Sequence, residues 1–495
     1  MDMSTARSDT RSFTNVRALW RQATKVFKKA PKSTSTAVVD QIRPKQSAYI
    51  FTLPTEILME ILVLSCEVDD ENETLNQPTH NIPLHLVQIC APLRDLALHT
   101  PELWSSITIS LDHTSQWDVR ATANLVESWF AKGRPGSLRL RILSSDYYHH
   151  TNELSPLLKL ITSRAHDWRS LSLIHCPDGL TKDVVYEMTQ HSFDSLEEIE
   201  IHAFASMSGV LFTPLRPLPK LSAVHLRTTC IPTMTQDVAL LFLPWQQLSI
   251  LRVAATLLAT QFLENLVGCS QLRVLEVYIS CDEQTARTPQ IELPNLTQLS
   301  LTLFSAPAGS SAEYFLRRLV LPALDNLDLC FIGRHTWTPL ASGFWSTYAG
   351  QLHTLTLSNV SFETHSIAID VLASLTSLRW LKLVGRETRL MGSVFKTLQK
   401  HGSVLSRLER LDVGVVDSDI SSEPPCDALR SFMSFLRVCP SIVYAHVVDW
   451  TDVEERRDDV LDAEVEIFML QTELRASGAD VRWRRRGSAS GLLSG

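Results

Sequence analysis

The sequence predicts an α/β protein in which a small N-terminal three-helix module precedes an irregular, horseshoe-shaped stack of strand–helix repeats with a parallel sheet on its concave face. Two patterns carry this prediction. Apolar residues recur at helical spacing within residues 48–108, and from Trp168 onward an apolar-x-x-apolar-x-apolar motif returns every 24 to 34 residues. The 495-residue chain is 44% hydrophobic, which provides ample material for a core. We therefore divide the chain into residues 1–47, 48–108, 109–450 and 451–495.

The charge and the cysteine content argue against several classes of protein. The formal net charge of −8 argues against a broad polyanion-binding surface, so we predict no nucleic-acid partner. The nine cysteines include no C-x-x-C pair, and we predict reduced thiols in a cytoplasmic or nuclear protein. The longest apolar run, Val238–Leu251, has 14 residues and is shorter than the roughly 20 that a membrane-spanning helix needs.

Familiar catalytic and cofactor motifs are missing from the sequence. It contains no G-x-x-x-x-G-K-S/T, G-x-G-x-x-G, H-E-x-x-H or G-x-S-x-G motif, and Gly487–Gly491 fails the last because alanine occupies the nucleophile position. The two histidines of Tyr147–His150 have no evident third ligand, which favours a surface loop over a zinc site. We predict a protein without catalytic residues, cofactor or metal.

The first 47 residues are basic, with ten Lys/Arg, three Asp and no Glu. They are also rich in serine and threonine and would bury little apolar surface, which predicts a disordered tail. Apolar residues from Val16 to Ala30 nevertheless fall at helical spacing beside a basic face. Besides a mobile tail with nascent helix, two alternatives are open: contact with an anionic membrane by residues 16–30, and a mitochondrial presequence.

Residues 48–108 carry three short helical patterns. Leu53-Pro54-Thr55-Glu56 begins the first, because proline suits the first turn of a helix, and the apolar residues at 57, 58, 61 and 62 form one face. A second run covers Leu84–Cys90, and Pro92 begins a third, which Thr100-Pro101 ends. From the residues alone, these helices predict a cap that covers the end of the next domain.

The same residues resemble the F-box, in the form found in the fungal F-box-like family. The matching segments are Leu53-Pro54-x-Glu56-Ile57-Leu58-x-x-Ile61-Leu62, Leu86-Val87-x-Ile89-Cys90, Leu93–Ala97 and Thr100–Ile107. The resemblance implies a non-catalytic, substrate-recruiting subunit of an SCF-type cullin ubiquitin ligase. It further implies that a Skp-type adaptor is contacted by Leu53, Pro54, Ile57, Leu58, Ile61 and Leu62. The alternative is a repeat scaffold with a helical cap and no role in ubiquitination.

The repeated motif from Trp168 onward predicts strands. Its last two apolar positions are two residues apart, so both side chains point to one side of an extended strand. The period resembles that of leucine-rich repeats, roughly 20–29 residues, apart from two longer gaps near the end. Only Cys176 supplies the Asn or Cys of the leucine-rich-repeat consensus, so we predict an irregular horseshoe. The middle apolar positions are Leu171, Ile199, Val224, Leu251, Leu275, Leu299, Leu327, Leu355, Leu381, Leu411 and Ala445.

Helical patterns lie between these strands, and Gly268 is placed to end one helix in the left-handed conformation. The helical segments are Asp183–Gln190, Thr235–Leu243, Thr260–Val267, Ala312–Leu319, Ser366–Leu375, Ser393–Lys400 and Ala428–Val438. Ile107–Ile109 and Leu138–Ile142 predict strands that extend the stack toward the helical trio.

The C-terminal segment 451–495 carries one more helical pattern. Thr451-x-x-Glu454 resembles a capping box and precedes an apolar stripe from Val460 to Leu474. This stripe predicts a capping helix that seals the last repeat, with a coiled-coil partner as the alternative. Val481–Arg486 predicts a short basic strand or tail.

The residues that alternate with the buried leucines should face the concave side. Their mixture of acidic and basic residues argues against a phosphate track, whereas aromatic and arginine residues are typical of protein-binding hot spots. We predict that this face binds an unidentified protein target, and the alternative is an ordinary solvated face. The candidate residues are Arg252, Glu276, Tyr278, Trp380, Lys382, Arg410 and Tyr444.

Overall fold

The computed structural model of the chain shows a mixed α/β protein with a large parallel sheet. The chain divides into two compact units, Met1–Leu171 and Ser172–Gly495. The predicted basic tail and the predicted C-terminal capping helix lie outside the residues that the structure describes. The described residues are 53–66, 82–111, 119–144, 154–176, 178–203, 218–228, 243–281, 285, 288–304, 311–337, 342–362, 371–372, 374–385, 395–396, 399, 405, 407–415, 432, 434–437, 439, 441–449, 472 and 480–485.

The first unit begins with the three helices that the sequence predicts. They are α1 (Thr55–Cys66), α2 (Ile82–Ile89) and α3 (Ala91–Leu98). The first helix starts directly after Pro54, whose carbonyl accepts the backbone N–H of Leu58 at 3.0 Å. The third helix ends before Thr100-Pro101, as expected from the restriction that proline places on the preceding residue.

The first unit continues past residue 108 and contains two helices that the sequence analysis did not predict. After a 3₁₀ turn at Pro101–Trp104, strand β1 (Ser106–Ser110) pairs in parallel with β2 (Leu138–Leu143), so both predicted early strands are confirmed. The additional helices are α4 (Val119–Phe130) and α5 (Ser155–Ser163). In α4, buried apolar side chains recur every three or four residues, which gives the helix one apolar face.

Two buried tryptophans organise the core of the first unit. The indole N–H of Trp104 donates to the carbonyl of Ala97 at 2.7 Å and is a second donor to it besides the backbone N–H of Thr100, at the end of α3. Trp168 repeats this arrangement at the end of α5, where its indole N–H donates to the Ile161 carbonyl at 2.8 Å. Each ring also packs edge-on against an aromatic residue of α4, Trp129 and Phe130 respectively. These contacts connect α3, α4 and α5.

The second unit consists mainly of parallel strands, and strand β3 (Trp168–Cys176) crosses the division between the units. From β4 onward each strand pairs with the next in chain order, except that β8 and β10 form a separate two-stranded parallel sheet. The strands are β4 (Glu198–Ala203), β5 (Ala223–Thr228), β6 (Ile250–Leu258), β7 (Val274–Ser280), β8 (Ile291–Glu292), β9 (Gln298–Phe304), β10 (Leu319–Val320), β11 (Asn326–Trp337), β12 (Thr354–Phe362), β13 (Trp380–Gly385), β14 (Arg410–Val415), β15 (Tyr444–Asp449) and β16 (Asp480–Arg485).

The register of these strands aligns the predicted repeat positions. Val224 lies opposite Leu251, and the same row then runs through every later middle apolar position to Ala445. The leucines of this row are buried because their side chains point to the face that the intervening segments cover. The strand predicted at the C-terminus is confirmed as β16, which pairs with β15.

The helices of the second unit agree with the predictions in part. They are α6 (Asp178–Gln190), α7 (Ala259–Leu266), α8 (Ser311–Arg317) and α9 (Ser342–Tyr348) within the described segments. Gly268 has a φ of 88°, which confirms the left-handed residue expected after α7. The prediction that a helix extends to Leu319 was wrong, because that residue begins β10. The predicted helix Thr235–Leu243 lies outside the described residues, apart from Leu243.

Candidate functional site

The exposed face of the large sheet carries a row of polar side chains next to the buried leucines. In β5 to β7 the row passes through His225, Arg252 and Glu276, which are paired in register. It continues through Ser300, Asp328, Thr356, Lys382, Asp412 and His446. The predicted target-binding candidates all lie in this row or within two residues of it. The register separates them into two groups.

The first group lies on β13 to β15, where Trp380, Arg410 and Tyr444 occupy corresponding positions of three neighbouring strands. The guanidinium carbon of Arg410 is 4.2 Å from the ring centroid of Trp380 and 4.8 Å from that of Tyr444. A guanidinium this close to two aromatic rings is attracted by both π systems. We refer to these three residues as the aromatic–arginine stack.

Asp412 fixes the orientation of the stack from the next polar position of β14. One of its carboxylate oxygens, Oδ2, accepts the indole N–H of Trp380 at 2.6 Å and the Nε–H of Arg410 at 2.9 Å. The residue is only 6% exposed, whereas the Arg410 side chain is 43% exposed. A buried carboxylate with two donors on one oxygen holds both side chains in a single arrangement.

Arg482 of β16 extends this surface and was missed as a candidate residue. Its guanidinium carbon lies 5.6 Å from the Tyr444 ring centroid, and its Nε and Nη2 groups both contact Asp480. The hydrogen bond to Asp480 is the main cause that raises the pKa of the Arg482 guanidinium. The basic residues of Val481–Arg486 could have pointed to Arg482. The residue was not selected because this segment does not carry the repeat motif from which the candidates were chosen.

Lys382, another predicted candidate, is exposed on β13 in register with Asp412 and Thr356. Its charge also acts on Asp328, two strands away. Burial raises the pKa of the Asp328 carboxyl, while the Ser300 hydroxyl and the Lys382 ammonium act in the opposite direction. Lys382 therefore adds a positive charge beside the aromatic–arginine stack.

The second group of candidates lies on β6 and β7; β7 is four strand steps from β13, about 19 Å along the sheet, and β6 is one step further. Arg252 Nε and Glu276 Oε2 are 3.6 Å apart, and both side chains are at least one-third exposed. An ion pair with this exposure contributes little stability. The Tyr278 ring lies 6.4 Å from Phe304, a residue that the sequence analysis did not select. The structure therefore does not bring all seven candidates into one site.

A histidine cluster lies at the beginning of the second unit. His175 and His202 have ring centroids 5.8 Å apart, and His202 Nε2 is 3.2 Å from Glu200 Oε1. His225 Nε2 is 3.6 Å from an oxygen of Glu198. Burial is the main cause that lowers the pKa values of His175 and His225, and nearby positive charge adds to it.

The predicted adaptor-binding residues are divided between the surface and the core of the first unit. Leu53 and Ile57 are 40% and 43% exposed, Pro54 is also exposed, and Ile61 is half-buried. Leu58 and Leu62 are buried, because they lie on the side of α1 that faces the unit's interior. A surface stripe therefore begins at Leu53, just before α1, and continues on α1 through Ile57 and Ile61, which are one helical turn apart.

The structure offers no sign of two other kinds of site within its described segments. No group of three or more His, Cys, Asp and Glu side chains there is arranged to hold a metal ion. None of the described helices has the length and apolar character needed to cross a membrane.

Comparison with known proteins gives no family assignment. No protein-family model matches the chain, and no curated protein matches it in sequence.

Proposed function

We propose that this protein is a substrate-recruiting subunit of an SCF-type cullin ubiquitin ligase. In this proposal, α1 docks on a Skp-type adaptor and the exposed face of the large sheet binds a protein target in the cytoplasm or nucleus. The F-box-like sequence of residues 53–107 supports the first part. The in-register strands and their repeat length support a leucine-rich-repeat-like horseshoe for the second unit.

The observation that carries the proposal is the apolar stripe on α1. Large apolar side chains on one face of a helix are normally buried against another element, yet Leu53 and Ile57 are well exposed. Leu64 of the same helix is exposed as well. Exposed apolar residues that recur on one face of a helix are typical of a protein-binding site. The opposite face of α1 is packed in the core, so docking would leave the fold of the first unit unchanged.

Direct contact with the adaptor is assigned to four of the six predicted residues, Leu53, Pro54, Ile57 and Ile61. Leu58 and Leu62 instead hold α1 in place from the inside. This division decides which substitutions are informative. Leu58→Asp would bury a charge and disturb the fold, whereas Ile57→Asp places the charge on the surface.

The proposed mechanism is proximity and needs no reactive group in this chain. Holding a target on the sheet while α1 holds the adaptor converts the transfer of ubiquitin into a reaction between tethered partners. Tethering of this kind raises the effective concentration of target lysines near the conjugating enzyme.

Co-purification with a Skp-type adaptor tests the proposal. The full-length chain and the adaptor are co-expressed, and the tagged chain is expected to retain the adaptor. Ile57→Asp and Leu53→Asp should each abolish retention, because a charge in a desolvated apolar contact costs several kcal/mol. Leu125→Asp is the matched control, since Leu125 is 47% exposed on α4, outside the stripe. Unchanged retention by both stripe variants would instead favour a repeat scaffold with a helical cap.

A further inference from the structure

We propose that the aromatic–arginine stack binds a carboxylate side chain of an acidic, extended segment in the protein target. The inference deepens the proposed target-binding role of the sheet and rests on that role. It assigns the recognition to Arg410, with Lys382 and Arg482 as flanking cations and with Trp380 and Tyr444 as the rings beside its guanidinium.

The geometry of Arg410 is the first argument. The Nε–H donates to Asp412, and the guanidinium carbon lies 4.2 Å and 4.8 Å from the ring centroids of Trp380 and Tyr444, which leaves the edge with the two terminal nitrogens to consider. The described residues make no hydrogen bond to the two terminal nitrogens at that edge. Two parallel N–H donors on a rigid plane match the two oxygens of a carboxylate. Because the side chain is already fixed, binding would cost little side-chain entropy.

The distribution of charge is the second argument. Among the described side chains of β13 to β16, Lys382, Arg410 and Arg482 are positive and only Asp412 and Asp480 are negative, whereas the whole chain has a net charge of −8. Lys382 lies on the strand before Arg410, and Arg482 lies two strands after it. This end of the sheet therefore attracts an anionic segment, although the chain as a whole would repel it.

The donors that the fixed aspartates leave open favour a carboxylate over a phosphate group. Asp412 lies directly behind the Arg410 guanidinium, and Asp480 already engages Arg482. A phosphate group presents three acceptor oxygens, more than the two terminal N–H donors of the open guanidinium edge can satisfy at once. A carboxylate carries one negative charge and has the planar shape that the open guanidinium edge fits.

Fluorescence anisotropy with the full-length chain tests the inference. The probe is a labelled Gly/Ser peptide with three consecutive Glu, compared with the same peptide carrying Gln at those positions and with one carrying phosphoserine. The Glu peptide should bind at least about tenfold more tightly than the Gln peptide. Arg410→Lys should weaken binding of the Glu peptide about tenfold, because an ammonium lacks the two-donor edge.

Two further variants keep the test independent of folding. Lys382→Gln removes an exposed cation that is outside the ring contacts, and it should weaken binding of the Glu peptide about threefold. Arg273→Gln is the control, because Arg273 is exposed and lies away from this surface. This variant should bind the Glu peptide as tightly as the parent chain does.

Several results would overturn the inference. They are equal affinity for the Glu and Gln peptides, no binding of the Glu peptide up to millimolar concentration, or unchanged affinity in Arg410→Lys. Much tighter binding of the phosphoserine peptide would contradict the choice of carboxylate. Adaptor retention is measured without these peptides, so failure here is distinguishable from failure of the proposed ligase role.

Discussion

Trp380 and Arg410 lie opposite each other on neighbouring parallel strands, and the guanidinium carbon of Arg410 is 4.2 Å from the indole ring centroid. Both side chains also donate a hydrogen bond to the same oxygen of Asp412. A ring, a cation and a buried carboxylate therefore stabilise one another on the exposed face of the sheet. This arrangement predicts a measurable contribution to stability as well as to binding.

Replacement of Asp412 tests that contribution. Asp412→Asn removes the charge that two donors share, and we expect the free energy of unfolding to fall by about 1–3 kcal/mol. Asp480→Asn is the matched control, because the Asp480–Arg482 pair is well exposed, and it should change stability by less than about 0.5 kcal/mol. Urea denaturation measures both variants. Equal losses in the two would contradict the role assigned to Asp412.

The buried row of the sheet predicts a second difference between matched substitutions. Val253 is completely buried and lies in register with Leu226 and Val277, whereas Val267 is mostly exposed after α7. Val253→Ala should lower the free energy of unfolding by about 2 kcal/mol through lost burial and a residual cavity. Val267→Ala should have little effect. Similar urea midpoints for the two variants would argue against the register described for β5 to β7.

The histidine cluster predicts that stability decreases in mild acid. Burial lowers the pKa values of folded His175 and His225, so the unfolded chain takes up these protons first as the pH falls. The free energy of unfolding should therefore be highest above about pH 6.5, the ordinary histidine pKa, and should decrease as the pH falls below that value. The test is the double variant His175→Asn/His225→Gln. Asn is chosen for position 175 because it tolerates the left-handed backbone there, where φ is 55°.

Urea midpoints between neutral pH and mild acid measure this effect. The double variant should lose less stability than the parent over the same interval. His191→Gln, which changes an exposed histidine of α6, should retain the pH dependence of the parent. An unchanged pH dependence in the double variant would show that these two groups do not cause it.

The buried cysteines predict selective chemical reactivity. Burial raises the pKa values of the Cys269 and Cys439 thiols to about 11, and it raises the pKa of Cys176 further. A thiol with a pKa near 11 holds about one thiolate in 10⁴ at pH 7, and only the thiolate is alkylated. In the native protein, iodoacetamide should therefore modify half-buried Cys90 before the buried Cys176, Cys269 and Cys439, as read by peptide mass spectrometry. Rapid native modification of Cys269 would contradict its burial.

The sequence could predict the register of the sheet because one apolar position recurs in every strand. Strands that stack in parallel at a similar repeat length bring equivalent positions together, so Leu299, Leu327 and Leu355 form one row. The same alignment accounts for the proximity of Trp380, Arg410 and Tyr444. Arg482 escaped prediction because β16 lacks the complete apolar motif, although the strand pairs in register with β15.

Other features required the tertiary structure. The apolar pattern of α1 is continuous around much of the helix, so spacing alone could not separate buried Leu58 from exposed Ile57. That separation depends on which side the neighbouring helices cover. Helices α4 and α5 were missed for a different reason: the apolar residues of α4 recur every three or four residues, a helical spacing that the sequence carries and that the sequence analysis overlooked.

Capture on an immobilised Skp-type adaptor tests most directly whether this chain holds two other proteins together. The parent chain should bind the adaptor and, while bound, should take up one Glu peptide per chain at a saturating peptide concentration. Ile57→Asp should lose the adaptor, whereas Arg410→Lys should keep the adaptor and lose most of the peptide. The account is contradicted if Ile57→Asp remains on the adaptor as firmly as Leu125→Asp does, or if the parent chain does not bind it.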